Sequence, residues 1–162
     1  MMVRRPTGTP ALRALVEAGI AHTVHEYEHD PRAAGFGIES AEMLGYPPER
    51  VFKTLLAADG SQLVVGVVPV DGLLDLKALA AATGHKRLAM ADPAVAERVT
   101  GMVVGGMSPM GQKRLLPTVV DSSALGFETV LVSGGRRGLD VELAPADLVR
   151  LTKARVVPIG SR

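Results

Sequence analysis

Two apolar runs, Val51–Ala58 and Gln62–Val70, flank the dipeptide Asp59-Gly60, and this arrangement constrains the fold more than any other feature of the chain. Asp-Gly between extended apolar segments signals a tight hairpin, because glycine supplies the positive φ that such turns need. The surrounding elements are of mixed kind. Thr9-Pro10 opens a helix, with Thr9 as cap and Pro10 in the first turn; Leu12, Leu15 and Val16 follow at helical spacing, and Gly19 is the stop. His22 to Glu28 alternates as a strand does. A loop with Asp30-Pro31 and Gly35-Phe36-Gly37 leads to a short helix near Glu39–Leu44, and Pro47-Pro48 breaks the chain before the hairpin. Asp75 caps an Ala-rich helix ending at Gly84, and Asp92-Pro93 opens another that runs to about Thr100. Strands are expected at Thr118–Asp121, Thr129–Ser133, Leu139–Leu143 and Arg155–Ile159, with a helix over Pro145–Thr152. Irregular interleaving with hairpins among the strands predicts an α+β fold with a mixed, mostly antiparallel sheet, not a doubly wound parallel one.

A length of 162 residues fits one domain, with residues 1–8 as a short extension before the first helix. Apolar residues make up 47% of the chain but aromatics only 3%, so Val, Leu and Ala must do the packing. The absence of cysteine excludes disulfides, thiolate nucleophiles and Cys-based zinc sites. No apolar stretch follows the basic start Met1-Met2-Val3-Arg4-Arg5, and no uncharged run is long enough to span a bilayer, so a cytoplasmic protein without membrane contact is expected. A net charge of +1 argues against nucleic-acid binding by bulk electrostatics and leaves only local basic pairs, Lys86-Arg87, Lys113-Arg114 and Arg136-Arg137.

Several residues could carry chemistry. Alternation places Lys53 between Val51 and Leu55 on one strand face, where a lysine either snorkels at an edge or lines a pocket as a fixed cation. Gly105-Gly106-Met107-Ser108-Pro109-Met110-Gly111 is a loop by composition: an ordinary turn, or backbone that approaches a ligand closely enough for its N–H groups to hold an oxygen. Ser133 ends an apolar strand before Gly134-Gly135, and Asp140 follows in the next. These two are either part of a hairpin with a solvated acidic face, formed by Asp140 and Glu142, or a polar pair at one sheet end. No histidine lies in either loop to complete a Ser/His/Asp triad. His25, Tyr27 and His29 would share a strand face, but the two histidines have no clear third partner for a metal. Phosphate-loop and dinucleotide-binding fingerprints are absent, as is any membrane-binding helix.

Six segments, in order, carry a resemblance: Tyr27-Glu28-His29-Asp30-Pro31, Val51-Phe52-Lys53-Thr54-Leu55-Leu56, Leu74-Asp75-Leu76-Lys77, Met90-Ala91-Asp92-Pro93, Gly105 through Lys113, and Val132 through Asp140. Together they resemble the YbaK/EbsC family of aminoacyl-tRNA editing deacylases, from about Thr9 to Ala154, and within it the Cys-tRNA(Pro) group more than the Ala-tRNA(Pro) group. Two departures are an Asp59-Gly60 hairpin that is shorter than in close relatives and the Met1–Gly8 extension.

The resemblance implies a single domain with a mixed, mostly antiparallel curved sheet flanked by helices, and a stand-alone relative of the editing domain inserted in some prolyl-tRNA synthetases. It implies deacylation of mischarged Cys-tRNA(Pro) with neither metal nor cofactor, the substrate's own thiol attacking its ester, and prolyl-tRNA synthetase as partner. Carried over residue by residue, it makes Lys53, Gly105, Ser133 and Asp140 catalytic. Tyr27, Phe36, Thr54, Gly106, Met107, Ser108, Pro109, Gly134 and Arg137 become substrate-binding. The alternatives are an Ala-tRNA(Pro) deacylase using activated water, a non-catalytic module for tRNA ends or synthetase, and a general esterase.

Overall fold

The run Gln62-Leu63-Val64-Val65-Gly66-Val67-Val68-Pro69 forms a strand whose residues are buried after the first, which explains why its sequence is apolar without alternation. Leu63, Val65 and Val67 point into the larger core and Val64 and Val68 into a second one on the opposite face. The computed structural model describes residues 8–32 and 35–161, so the expected 1–8 extension lies outside the described residues except for Gly8.

The strands are β1 (Thr23–Glu26), β2 (Phe52–Asp59), β3 (Gln62–Pro69), β4 (Leu73–Leu74), β5 (Ala89–Met90), β6 (Thr118–Asp121), β7 (Val130–Arg136), β8 (Leu139–Leu143), β9 (Arg155–Val157) and β10 (Gly160–Ser161). The helices are α1 (Pro10–Glu17), α2 (Phe36–Leu44), α3 (Leu76–Thr83), α4 (Pro93–Thr100) and α5 (Pro145–Thr152), with single 3₁₀ turns at Pro48–Arg50 and Ser122–Gly126. The expected hairpin is β2–β3, in register from Phe52↔Pro69 to Asp59↔Gln62. It is the middle of a five-stranded sheet ordered β5-β2-β3-β6-β9, antiparallel on the β5 side and parallel on the β9 side.

The strands form three hydrogen-bonded sheets, of which this is the largest. The second, β1-β8-β7, is antiparallel throughout, and the third pairs only β10 with β4. One parallel bridge, Val51↔Leu131, ties the start of β2 to β7. This bridge brings the Lys53 end of the larger sheet against the Ser133 end of the smaller one.

Helix ends follow the sequence signals. Thr9 Oγ1 accepts from Leu12 N at 3.2 Å, and Asp75 and Asp92 cap α3 and α4 by accepting from Ala78 N and Ala94 N. Gly84 and Gly101 close those helices in the left-handed conformation. Apolar residues of α1, α4 and α5 fill the larger core, including Leu12, Leu15, Val99 and Leu148; α3 covers the other sheet face with Leu79 and Ala80. Each fully buried Leu or Val contributes on the order of 1.5–3 kcal/mol, so these helix faces are held chiefly by burial. Among the described residues no helix is long and apolar enough to cross a membrane.

Candidate functional site

β2 and the residue before it contribute a continuous wall, Val51 through Leu56, to a cavity of about 400 Å³. α2 adds Phe36, Ile38 and Ser40; Met90, Ala91, Pro93 and Ala96 come from β5 and α4; Val104, Gly105 and Met107 come from the first glycine loop. Ser133 and Asp140 complete it from the smaller sheet, with Tyr27 from just beyond β1. Most of the wall is apolar, with a few polar groups converging on it, the usual composition of a small-molecule site.

Of the residues singled out in the sequence, Lys53, Gly105, Ser133, Asp140, Tyr27, Phe36, Thr54 and Met107 border the cavity; Gly106, Ser108, Pro109, Gly134 and Arg137 do not. Ser108 is fully buried, where its Oγ accepts from Met110 N at 3.2 Å and its own N–H donates to Met102 Sδ at 3.3 Å. The Gly106 N–H donates to Val103 O at 2.9 Å. Much of the loop's donor capacity therefore goes into holding its own shape, which leaves Gly105 as the glycine of the pair at the wall. A Cβ on Gly106 would lie 2.7 Å from the backbone of Arg136 and Arg137, and one on Gly105 would lie 2.6 Å from the Phe36 ring. The glycine pair is needed because two loops and an aromatic ring meet there, a close approach within the protein itself.

Outside the cavity, Arg137 braces this wall. Its guanidinium Cζ stands 4.8 Å from the centroid of the Phe36 ring, and Nε donates to Val104 O at 2.9 Å. Thr9, the cap of α1, also donates through Oγ1 to Gly134 O at 2.8 Å, anchoring the second glycine loop.

The polar groups differ in environment. Burial lowers the Lys53 ammonium below its ordinary range, partly offset by the negative charge of Asp71. Thr54 is 9% exposed, and its Oγ1 is a buried side-chain polar atom with no hydrogen-bond partner among the described residues. Ser133 faces Asp140 in the β7–β8 register, and its Oγ accepts from Gly135 N at 3.1 Å. Asp140 is 5% exposed, and burial pushes its carboxyl up to about 6, against hydrogen bonding from Ser40 and the charge of His25. The solvated acidic face that alternation in β8 suggests is thus absent. Asp140 is enclosed, with Ser40 of α2 bonded to its carboxylate, and Glu142 is held at its own cluster by His25, Tyr46, Arg50 and Thr129. Burial, with Asp140 and Glu39 nearby, pushes the Tyr27 phenol up to about 12.

The two strand histidines have separate partners. β1 stops at Glu26; His25 Nε2 pairs with Glu142 Oε1 at 2.8 Å, whereas His29 Nδ1 pairs with Glu39 Oε1 at 2.7 Å. Glu142 also accepts from Thr129 Oγ1 at 2.6 Å, Tyr46 Oη at 2.9 Å and Arg50 Nη2 at 3.0 Å. The hydrogen bond from Thr129, with those from His25 and Tyr46, outweighs burial and brings the Glu142 carboxyl down to about 2. Among the described residues no group of three or more His, Cys, Asp or Glu is placed to hold a metal ion.

Sequence reasoning missed Ser40, Ile38 and the Met90–Ala96 wall. Ser40 had no local signal, because its importance depends on a contact one hundred positions away in sequence, with Asp140. The only sequence signal for the wall was the Met90-Ala91-Asp92-Pro93 segment, which carries no polar side chain beyond a helix cap.

A family model described as the aminoacyl-tRNA editing domain matches residues 33–151. The chain is 38% identical over 123 residues to the Enterococcus faecalis protein EbsC, which bears the name of a Cys-tRNA(Pro)/Cys-tRNA(Cys) deacylase; the match covers 75% of each. It is 33% identical over 101 residues to the proline–tRNA ligase of Geobacter metallireducens, covering 62% of this chain and 17% of that enzyme. A crystal structure described as a trans-editing enzyme for prolyl tRNA synthetase superposes with a TM-score of 0.85 at 25% identity, covering 99% of this chain and 100% of the other. The cavity between the two sheets is thus carried by a fold shared along its whole length with a trans-editing protein, and the chain belongs to the aminoacyl-tRNA editing domain family, enzymes that deacylate mischarged tRNA.

Proposed function

We propose that the chain deacylates Cys-tRNA(Pro) in trans, with the aminoacyl ester held in the cavity between β2, α2 and the two glycine loops. The observation that carries this reading is the cavity itself, a mostly apolar wall of about 400 Å³ on which Lys53, Ser133, Asp140 and Tyr27 converge beside the backbone of Gly105. A few polar groups on an otherwise apolar wall fix the orientation of a small polar ligand such as an aminoacyl ester. The similarity to EbsC supports cysteine as the amino acid, and the similarities to a prolyl-tRNA synthetase and to its trans-editing enzyme support that synthetase as partner.

The chain has no cysteine, and among the described residues no side chain is bonded to Ser133 as a base, so the reaction is assigned to the substrate. The cysteinyl thiol attacks its own ester carbonyl: a C–S bond forms, the C–O bond to the terminal ribose breaks, and the departing oxygen takes the thiol's proton. Water then opens the cyclic thioester to free cysteine. The protein orients and stabilises charge, which is worth several kcal/mol in a preorganised site. Lys53 is assigned to the terminal phosphate or the developing oxyanion, Gly105 to the carbonyl oxygen, Asp140 to the substrate ammonium, and Ser133 and Tyr27 to the polar wall.

The test is deacylation of Cys-tRNA(Pro), Ala-tRNA(Pro) and Ser-tRNA by wild type and Lys53→Ala. Clearance of the cysteinyl substrate alone, reduced on the order of a hundredfold or more in the variant, is expected. Clearance of the alanyl substrate would replace the thiol route with activated water, and clearance of none would leave a binding module.

A further inference from the structure

We propose that Ser40 is a positioning residue for editing: delivered by α2, its hydroxyl fixes the Asp140 carboxylate so that the free oxygen meets the substrate ammonium. The proposal rests on the reading of the cavity as the aminoacyl site and adds a residue which that reading does not use.

The geometry begins with neighbouring residues on one helix. Glu39 and Ser40 are 5% and 4% exposed, unusual for a polar pair on a short helix. Glu39 ties down the segment after β1, pairing with His29 Nδ1 at 2.7 Å and accepting from Asp30 N at 2.6 Å. With that segment and α2 locked together, Ser40 Oγ donates to Asp140 Oδ2. Among the described residues it is the only hydrogen-bond donor to this carboxylate. Ser40 also lies against the Tyr27 phenol, and all three residues border the cavity.

A carboxylate with a single donor on one oxygen has one lone-pair direction fixed and the other oxygen available. Buried at a largely apolar wall, it would otherwise rotate and tend to keep its proton. The groups that face Asp140 are Ser40 from α2, His25 from β1, Ser133 from β7 and Tyr27 beyond β1; Glu142 is two residues along and Lys53 lines the same cavity from β2. Burial opposes the ionised form, and of these groups Ser40 and His25 favour it. Removing the Ser40 hydroxyl therefore moves Asp140 further up from its value of about 6, toward protonation at neutral pH.

The experiment compares wild type, Ser40→Ala and Ser40→Thr in two readouts. The first is the titration of the Asp140 carboxyl carbon by NMR, which needs no substrate. The second is kcat and KM for Cys-tRNA(Pro) across the acid limb of the pH profile. Ser40→Ala is expected to raise both midpoints and to lower kcat/KM at neutral pH roughly tenfold, the weight of one hydrogen bond to a charged group. Ser40→Thr, which keeps a hydroxyl, is expected to restore both. An unmoved carboxyl titration in a folded Ser40→Ala variant overturns the proposal. So does a kcat/KM loss that Ser40→Thr does not rescue although its titration returns to wild type. If wild type clears no Cys-tRNA(Pro), the assigned substrate is wrong, and a raised carboxyl titration in Ser40→Ala would still support Ser40 as the group that fixes Asp140.

Discussion

If Asp140 holds the substrate ammonium as proposed, function and stability pull in opposite directions at this residue. Its carboxyl titrates near 6 in the fold and near 3.8 ordinarily. Between those values the folded chain holds a proton that the unfolded chain has released, so stability falls as pH rises through the window and levels off above it. A shift of this size corresponds to about 2–3 kcal/mol at neutral pH. Asp140→Asn keeps the shape and an acceptor for Ser40 without the buried charge. It is expected to be more stable than wild type at pH 7.5 by about 2 kcal/mol, equal to it near pH 4, and inactive in deacylation. Urea unfolding at the two pH values checks this, and a variant less stable at both would sink it. Sequence reading brought Ser133 and Asp140 together because cross-strand pairing in a short hairpin is a local matter. It could not tell a solvated acidic face from a buried one, since the groups that enclose it, Ser40 on α2 and His25 on the neighbouring β1, come from a hundred residues or more earlier.

At the scale of elements, the cavity depends on two loops packed backbone to backbone. Where Gly106 meets Arg136 and Arg137, an added Cβ at 2.7 Å would face main chain on the other side, which has no rotamer to yield. Gly106→Ala must therefore move one loop against the other, and the two carry Gly105 and Ser133 to the wall. A destabilisation of roughly 1–3 kcal/mol, typical of overpacking, is expected, with kcat/KM falling further than stability alone explains. Thermal melting and deacylation below the transition measure the two parts; an unchanged melting temperature would show that the loops yield freely. The helices and the central hairpin were legible because their signals are chemical and local: Asp75 with Gly84, Asp92 with Pro93, Asp59 with Gly60. α2 begins at Phe36, earlier than expected, because Gly35-Phe36-Gly37 reads as loop and only packing makes it helical. The two-residue strands β4, β5 and β10 were missed for a related reason, being extended only where a longer strand or each other's edge pairs with them.

For the whole molecule, the problem is how a chain of net charge +1 engages tRNA. Phosphate contacts release counterions, and each contributes a slope of roughly −0.7 to −0.9 in log affinity against log salt. The cavity mouth offers few cations and a good deal of apolar surface: Phe36, Ile38, Met90 and Val104 border it and remain 36%, 38%, 50% and 37% exposed. Such a rim suits the unpaired end of tRNA, whose bases can stack on apolar and aromatic side chains without regard to sequence. The isolated protein is therefore expected to bind tRNA weakly, with a salt slope no steeper than about −3, equivalent to a few phosphates, and with little preference among tRNA bodies. Prolyl-tRNA synthetase would supply that preference by presenting its own mischarged product, so selectivity for tRNA(Pro) should appear only when the synthetase is added. Equilibrium binding at several salt concentrations, with and without synthetase, decides the matter. A steep slope together with selective binding by the isolated chain would place tRNA recognition on its own basic pairs, and the apolar rim would then need another occupant.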